Sequence, residues 1–215
     1  MILAAVGMRR EARLVEGHGR GVRAVAGGGR ADLLESRLMA ALDGADAILS
    51  IGLGGALDHA LQVGDVIIGA EVLRPRKRWE TDPAWRARLI DRMPDARLGP
   101  VYGSDEMVLN AMDKAKLHGK GGAVLVDMES HVAAKVAAAR GLPLAVIRVV
   151  SDTAAVSLPS AVMAGVKADG GMDLFAVLTA LIRDPRQLPA LMRTGRDADV
   201  AFKALAHAAA LLLRP

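Results

Sequence analysis

Short apolar runs alternate with amphipathic stretches along most of this chain, and that alternation limits its fold more than any other feature. Ile2 to Val6, Val22 to Ala26, Ala47 to Ile51, Asp65 to Leu73, Ala123 to Val126 and Leu144 to Val150 read as buried strands. Arg9 to Val15, Ala31 to Leu42, Asp105 to Leu117 and Met128 to Arg140 read as the helices between them. Strands separated by helices pair in parallel, with the helices covering both faces. The expected fold is therefore α/β, a three-layer α/β/α arrangement around a central mixed, largely parallel sheet. After Pro159 the strands stop. Met172 to Ile182 and Asp197 to Leu213 carry helical periodicity, with Asp184-Pro185 and Pro189 as breakers. Residues 159–215 are expected to form a helical C-terminal cap within one domain spanning 1–215. Arg74 to Asp95, which holds Trp79, Trp85 and three prolines, reads as a loop with at most one helix.

Composition narrows the function. The 215 residues are 52% apolar, enough to bury the core of a single domain. Lys and Arg number 28 against 24 Asp and Glu, a net +4, and only Arg74 to Arg78 is densely basic. With aromatics at 2% there is no stacking platform, so a nucleic-acid partner is not expected. Without Cys there is neither a disulfide scaffold nor a thiolate nucleophile, and five His lack metal-site spacing. The apolar start, Ile2 to Val6, is too short for a secretion signal and is followed, not preceded, by positive charge. No apolar run approaches the roughly 18–20 residues of a membrane span. The expected location is cytoplasmic.

Four constellations could carry chemistry. Gly52 to Leu57 (GLGGAL) follows a strand, where missing side chains let a ligand approach the backbone through Gly54 and Gly55; the same glycines could mark only a tight turn. In Val126 to Ala134 (VDMESHVAA) two carboxylates stand where a strand gives way to a helix. For Asp127, helix initiation is the preferred reading, whereas Glu129, next to Met128, could face a cleft and bind vicinal hydroxyls. In Arg148 to Ala154 (RVVSDTA) a buried strand ends in Ser151-Asp152, at the edge where open α/β sheets bind ligands. Asp152 could equally cap a turn and pair with Arg148. Glu11, after the first strand, reads alone as an exposed helical carboxylate.

In this order, GMRRE, the Gly-rich turn, GLGGAL with VGD, GSDEMV, VDMES and RVVSD resemble the nucleoside phosphorylase and 5′-methylthioadenosine/S-adenosylhomocysteine nucleosidase superfamily, over roughly residues 1–155. VDMESHVAA and RVVSDTA carry the specificity. The whole pattern most resembles the hopanoid-associated phosphorylase branch, which is linked to releasing adenine from adenosylhopane.

The resemblance implies a phosphorylase/hydrolase-like fold and cleavage of a purine N-glycosidic bond through an oxocarbenium-like transition state, with no cofactor beyond phosphate as a co-substrate. It casts Asp152 as the acid toward purine N7, a role that needs a protonated carboxyl. Glu129 would grip the ribose hydroxyls, Met128 would pack on the sugar, Glu11 would act on a water, Arg148 would lie near that water, and Ser151 would set the acid's geometry. The sequence departs from the nucleosidases at Leu53, where they carry Ser, and at Met107, where an aromatic usually stacks near the base. Both changes make the pocket more apolar, suiting a lipidic 5′-substituent. For phosphorolysis, Arg30 and Gly28 could take phosphate, but a carboxylate at Glu11 would repel it, so hydrolysis is favoured. General purine nucleoside phosphorylase or methylthioadenosine/S-adenosylhomocysteine nucleosidase activity is the alternative, and a non-catalytic nucleoside-binding protein a further one. A homo-oligomer is expected. Membrane-surface contact through Arg74 to Arg78 with Trp79 and Trp85 is a further option, weighed against a solvated loop.

Overall fold

The computed structural model describes residues 1–18, 21–159, 162, 179 and 183–213. The expected helix from Met172 to Ile182 lies outside the described residues, apart from the single position 179. Along the chain run β1 (Ile2–Val6), α1 (Arg9–His18), β2 (Val22–Ala26), α2 (Ala31–Ala40), β3 (Ala47–Ala56), β4 (Val66–Arg74) and β5 (Lys77–Glu80). Then come α3 (Pro83–Arg92), β6 (Arg97–Gly103), α4 (Ala111–Gly121), β7 (Leu125–Asp127), α5 (Ser130–Arg140), β8 (Leu144–Asp152) and α6 (Leu188–Leu213).

The strands form the expected mixed, largely parallel sheet. β2, β1, β3 and β8 are parallel neighbours in that order, and β4, β6 and β7 are parallel to one another. Two antiparallel contacts join these groups: β8 with β4, and the far end of β3 with β7. Strands β3, β8, β4, β6 and β7 thus close on one another, while β1 and β2 extend from β3 and β5 hangs on β4.

Alternation along the strands divides the burial between two sides. Leu3, Ile48 and Val146 pack with Leu34 and Leu38 of α2 and Val132 and Val136 of α5. Their chain neighbours Ala4, Leu49 and Ile147 pack with Val15 of α1, Trp85 and Leu89 of α3, and Leu205 and Ala209 of α6. Pro189 sits in the first turn of α6, where its missing N–H costs no helical hydrogen bond, so it does not break the helix.

Three segments depart from expectation. β3 does not stop at Ile51 but runs through the glycines to Ala56, because β8 pairs with it as far as Asp152. Arg74 to Asp95 is not a loop: it turns back as β5 and continues into α3, and the following β6 was hidden by a Gly-Pro interruption, Gly99-Pro100. The helix expected from Asp105 starts only at Ala111, where the Asn110 side chain accepts from the Asp113 amide at 2.8 Å.

Candidate active site

The first carboxylate is placed by the end of β1. The chain leaves Val6 through Gly7 and Met8 into α1, and Glu11, in the helix's first turn, folds back over that junction. Its Oε2 accepts from the Gly7 amide at 2.8 Å and the Met8 amide at 2.7 Å, and its Oε1 accepts from the Leu53 amide of β3 at 2.8 Å. Glu11 is buried, not the exposed helical side chain it looked like alone. Burial raises its proton affinity, against the lowering effect of the three amides and of Arg148.

The second group assembles at the junction of β7 and α5. Asp127 Oδ1 accepts from the Ser130 amide at 3.1 Å and the Ser130 hydroxyl at 2.6 Å, which anchors the helix start as expected. Its other oxygen forms an ion pair with Arg148 Nε. Arg148 stands in mid-strand among apolar neighbours and is wholly buried, so it needs such partners. It pairs with Asp127, not with Asp152. Its Nη2 donates to Ser50 Oγ at 2.5 Å and lies 3.6 Å from Glu129 Oε2, while Nη1 has no hydrogen-bond partner among the described residues.

Gly7 and Gly52 show how closely these groups converge. A Cβ on Gly7 would lie 2.7 Å from Glu129 Oε1 and 3.3 Å from Glu11 Oε2. A Cβ on Gly52 would lie 2.6 Å from both Arg148 Nη1 and Glu11 Oε1. One guanidinium therefore faces three buried carboxylates, and it is already paired with Asp127. Burial pushes Glu129 up to about 8; Arg148 opposes the rise, and the charges of Asp127 and Glu11 add to it. Burial disfavours the Arg148 charge too, but the surrounding carboxylates outweigh it and hold the guanidinium protonated.

Asp152 ends the same strand. It lies four residues beyond Arg148, past a register shift between β3 and β8 at Gly54/Gly55 that breaks the alternation of faces. Gly55 of β3 lies opposite, and a Cβ there would come within 3.0 Å of Asp152 Oδ2. Ser151 Oγ lies 2.7 Å from Asp152 Oδ1 and 3.1 Å from Gly54 O, and its single proton can serve one of them at a time. Where the expected role calls for a protonated carboxyl, Asp152 rests against a cation. Oδ2 forms an ion pair with Lys114 of α4, and that ammonium also donates to Thr153 O and Val156 O at 2.9 Å each.

The remaining candidates divide. At Gly54 the missing side chain makes room for β7, since a Cβ there would run into Leu125 and the Val126 carbonyl. Met128 and Met107 are half-buried. Gly28 and Gly29 make the turn after β2 with positive φ (65° and 73°), and the Gly28 amide donates to Gly7 O at 2.8 Å. Arg30 forms an exposed pair with Asp32 at 2.5 Å. Of the basic run Arg74 is anchored, donating to Asp105 Oδ2 at 2.6 Å, with Asp105 Oδ1 2.9 Å from His131 Nε2; Pro75 to Arg78 are exposed around the turn between β4 and β5. Trp85 is buried and Trp79 packs against the core, so neither stands out as a membrane anchor. No described helix is long and apolar enough to cross a membrane. A cavity of about 430 Å³ lies at the opposite end of the strands, against Ile2, Ala47, Trp85 and Arg92, away from every carboxylate above.

Comparison with known proteins came out as follows. A profile described as the phosphorylase superfamily matches residues 10–183. No curated protein sequence matches. The fold is similar to that of a 5′-methylthioadenosine/S-adenosylhomocysteine nucleosidase from Neisseria meningitidis, solved with methylthio-immucillin-A (TM-score 0.75, 15% identity, 99% of this chain and 98% of that one). It is also similar to futalosine hydrolase of Helicobacter pylori (TM-score 0.70, 17% identity, 98% and 96%). S-adenosylhomocysteine nucleosidase from Streptococcus pyogenes, in complex with 5-methylthiotubericidin, aligns at TM-score 0.66 with 17% identity over 96% of both chains.

Proposed function

Because the chain belongs to the phosphorylase superfamily, we propose that it cleaves the N-glycosidic bond of a purine nucleoside by hydrolysis, with Glu11, Glu129 and Asp152 as its working carboxylates. The observation that carries this reading is the pair of buried carboxylates, Glu11 and Glu129, that meet over Gly7.

Glu129 takes the ribose hydroxyls, and those bonds tighten as positive charge builds on the sugar. Met128 packs on the sugar. A water held between Glu11 Oε1 and the unpartnered Arg148 Nη1 attacks C1′ and gives its proton to Glu11. The C1′–N9 electron pair goes to the purine, and Asp152, which takes up a proton from solvent as the nucleoside binds, supplies a proton or hydrogen bond at N7, with Ser151 setting the carboxyl's orientation and Met107 beside the base.

Hydrolysis is favoured over phosphorolysis by electrostatics. A phosphate dianion would enter a cluster whose single guanidinium is already paired, while Arg30 is engaged with Asp32. The substrate we assign is adenosylhopane, with adenine released in hopanoid biosynthesis. Leu53, which stands where nucleosidases carry Ser, packs half-buried against the apolar cluster on the α1 and α6 side of the sheet, in keeping with an apolar 5′-group.

The test is base release from adenosine, inosine, methylthioadenosine and adenosylhopane, each with and without phosphate. Preferred, phosphate-independent release from adenosylhopane supports the assignment. Equal or better cleavage of methylthioadenosine moves the chain to the nucleosidases of its structural neighbours, and strict phosphate dependence makes it a phosphorylase. Absence of turnover with retained nucleoside binding makes it a binding protein.

A further inference from the structure

Lys114 has no role in the reading above, yet it is a buried cation with all its donors engaged. Its side chain is 0% exposed, and its three N–H donors meet three acceptors: Asp152 Oδ2, Thr153 O and Val156 O. All three lie on the short segment that begins at Asp152. The same segment is docked onto the start of α4 by two neutral bonds, the Ala111 amide to Ser157 Oγ at 3.1 Å and the Leu158 amide to Leu109 O at 2.7 Å. An ammonium taken wholly out of water needs a buried counter-charge, and here that counter-charge is the residue with the most demanding geometric task.

We propose that Lys114 is a positioning residue for Asp152, which locks one carboxyl oxygen so that the other faces the leaving base. Oδ2 is held between Lys114 and the open space at Gly55, which fixes the carboxyl plane. Oδ1, beside Ser151 Oγ, is the oxygen left to address the purine. Oδ1 takes up a proton from solvent when the nucleoside binds; as the C1′–N9 bond breaks, that proton passes to N7 and the carboxylate returns to its ionised state beside the ammonium. Lys114 keeps its three protons throughout. Fixing the donor before the reaction spares a reorientation in the transition state, so its effect belongs in turnover and not in substrate affinity.

The proposal rests on the glycosidic-cleavage reading, and a double-mutant cycle separates the two. Lys114→Met, Asp152→Asn and the double variant are assayed for base release with whichever of the four ribosides the wild type cleaves. Lys114→Met is expected to lower kcat about 10- to 100-fold with KM within about threefold, an effect the size of general-acid catalysis. In the Asp152→Asn background the same change is expected to cost less than about threefold, because its partner's function is already gone. The double variant also removes both buried charges and reports whether the pocket folds without them. If Lys114→Met alone does not fold, Lys114→Gln, which keeps N–H donors without the charge, replaces it in the cycle. An equal loss in both backgrounds, or a loss confined to KM, overturns the proposal while leaving glycosidic cleavage intact. A wild type that releases no base from any riboside overturns the functional reading, and this inference with it.

Discussion

Gly52 of β3 lies in register with Arg148 of β8, and the side chain it lacks leaves the space that Arg148 Nη1 and Glu11 Oε1 both approach. Neither atom is ion-paired with the other, yet each comes within 2.6 Å of the same point. In this site a strand glycine serves to let a buried cation and a buried carboxylate face each other.

Gly52→Ala should therefore damage function and stability together. The added methyl would lie 2.6 Å from two charged atoms held by their own networks, so something must shift, and overpacking of this kind costs about 1–3 kcal/mol. Gly17→Ala, in α1 with nothing within 4 Å, should instead stabilise by about 0.5–1 kcal/mol. Thermal unfolding of the two variants checks both signs.

Glu11→Gln should retain folding and nucleoside binding while losing turnover by about 100-fold or more, since an amide accepts the Leu53 amide but cannot take a proton from water. Calorimetric binding beside base-release kinetics makes the measurement. Equal loss of binding would show that Glu11 serves the ground state only.

Glu129 should imprint itself on stability against pH. Its folded proton affinity is raised from 4.5 to about 8, so between those values the native state binds a proton that the unfolded chain has released. Its stabilising contribution is complete below the ordinary glutamate range and is lost as pH climbs to about 8. The thermal midpoint of the wild type should fall over that interval, and Glu129→Gln should flatten the slope.

Breaking the Arg148–Asp127 pair should be the most costly change. Arg148→Met strands Asp127 with no counter-charge, and removing one partner of a buried pair costs about 3–5 kcal/mol. Asp127→Asn leaves the cation with Glu129 at 3.6 Å and Glu11 nearby, and Glu129 should then ionise more readily. Denaturant unfolding of both variants reports the first effect, and a shift in the pH slope of Asp127→Asn the second.

What the sequence made legible follows physical lines. Strands such as β1 and β2 were readable to the residue, because apolar runs bounded by glycine leave few alternatives. β6 was not, because it begins with Arg97 and contains Gly-Pro, and its support comes from β4 and β7 on either side. The motif carboxylates Glu11, Glu129 and Asp152 were legible as candidates, with Arg148 and Ser151 beside them, whereas Ser50 and Lys114 were not. Ser50 reads as one small residue in an apolar strand. Lys114 defeats hydropathy outright: in α4 it is fully buried while Met112 is 73% exposed, the reverse of what either side chain suggests. Only the tertiary contact with Asp152 explains that inversion. The glycines were legible as a cluster, but not what their missing side chains leave room for: the protein's own charged groups at Gly52 and Gly55, and β7 at Gly54.

The most direct measurement is a crystal structure with a non-cleavable adenosine analogue bound. The account predicts ribose hydroxyls within hydrogen-bond distance, about 2.6–3.2 Å, of Glu129. It also predicts the anomeric carbon beside Glu11 and the Arg148 guanidinium, and N7 of the base facing Asp152. An analogue seated instead in the cavity by Trp85 and Arg92, with Glu11 and Glu129 untouched, would contradict it.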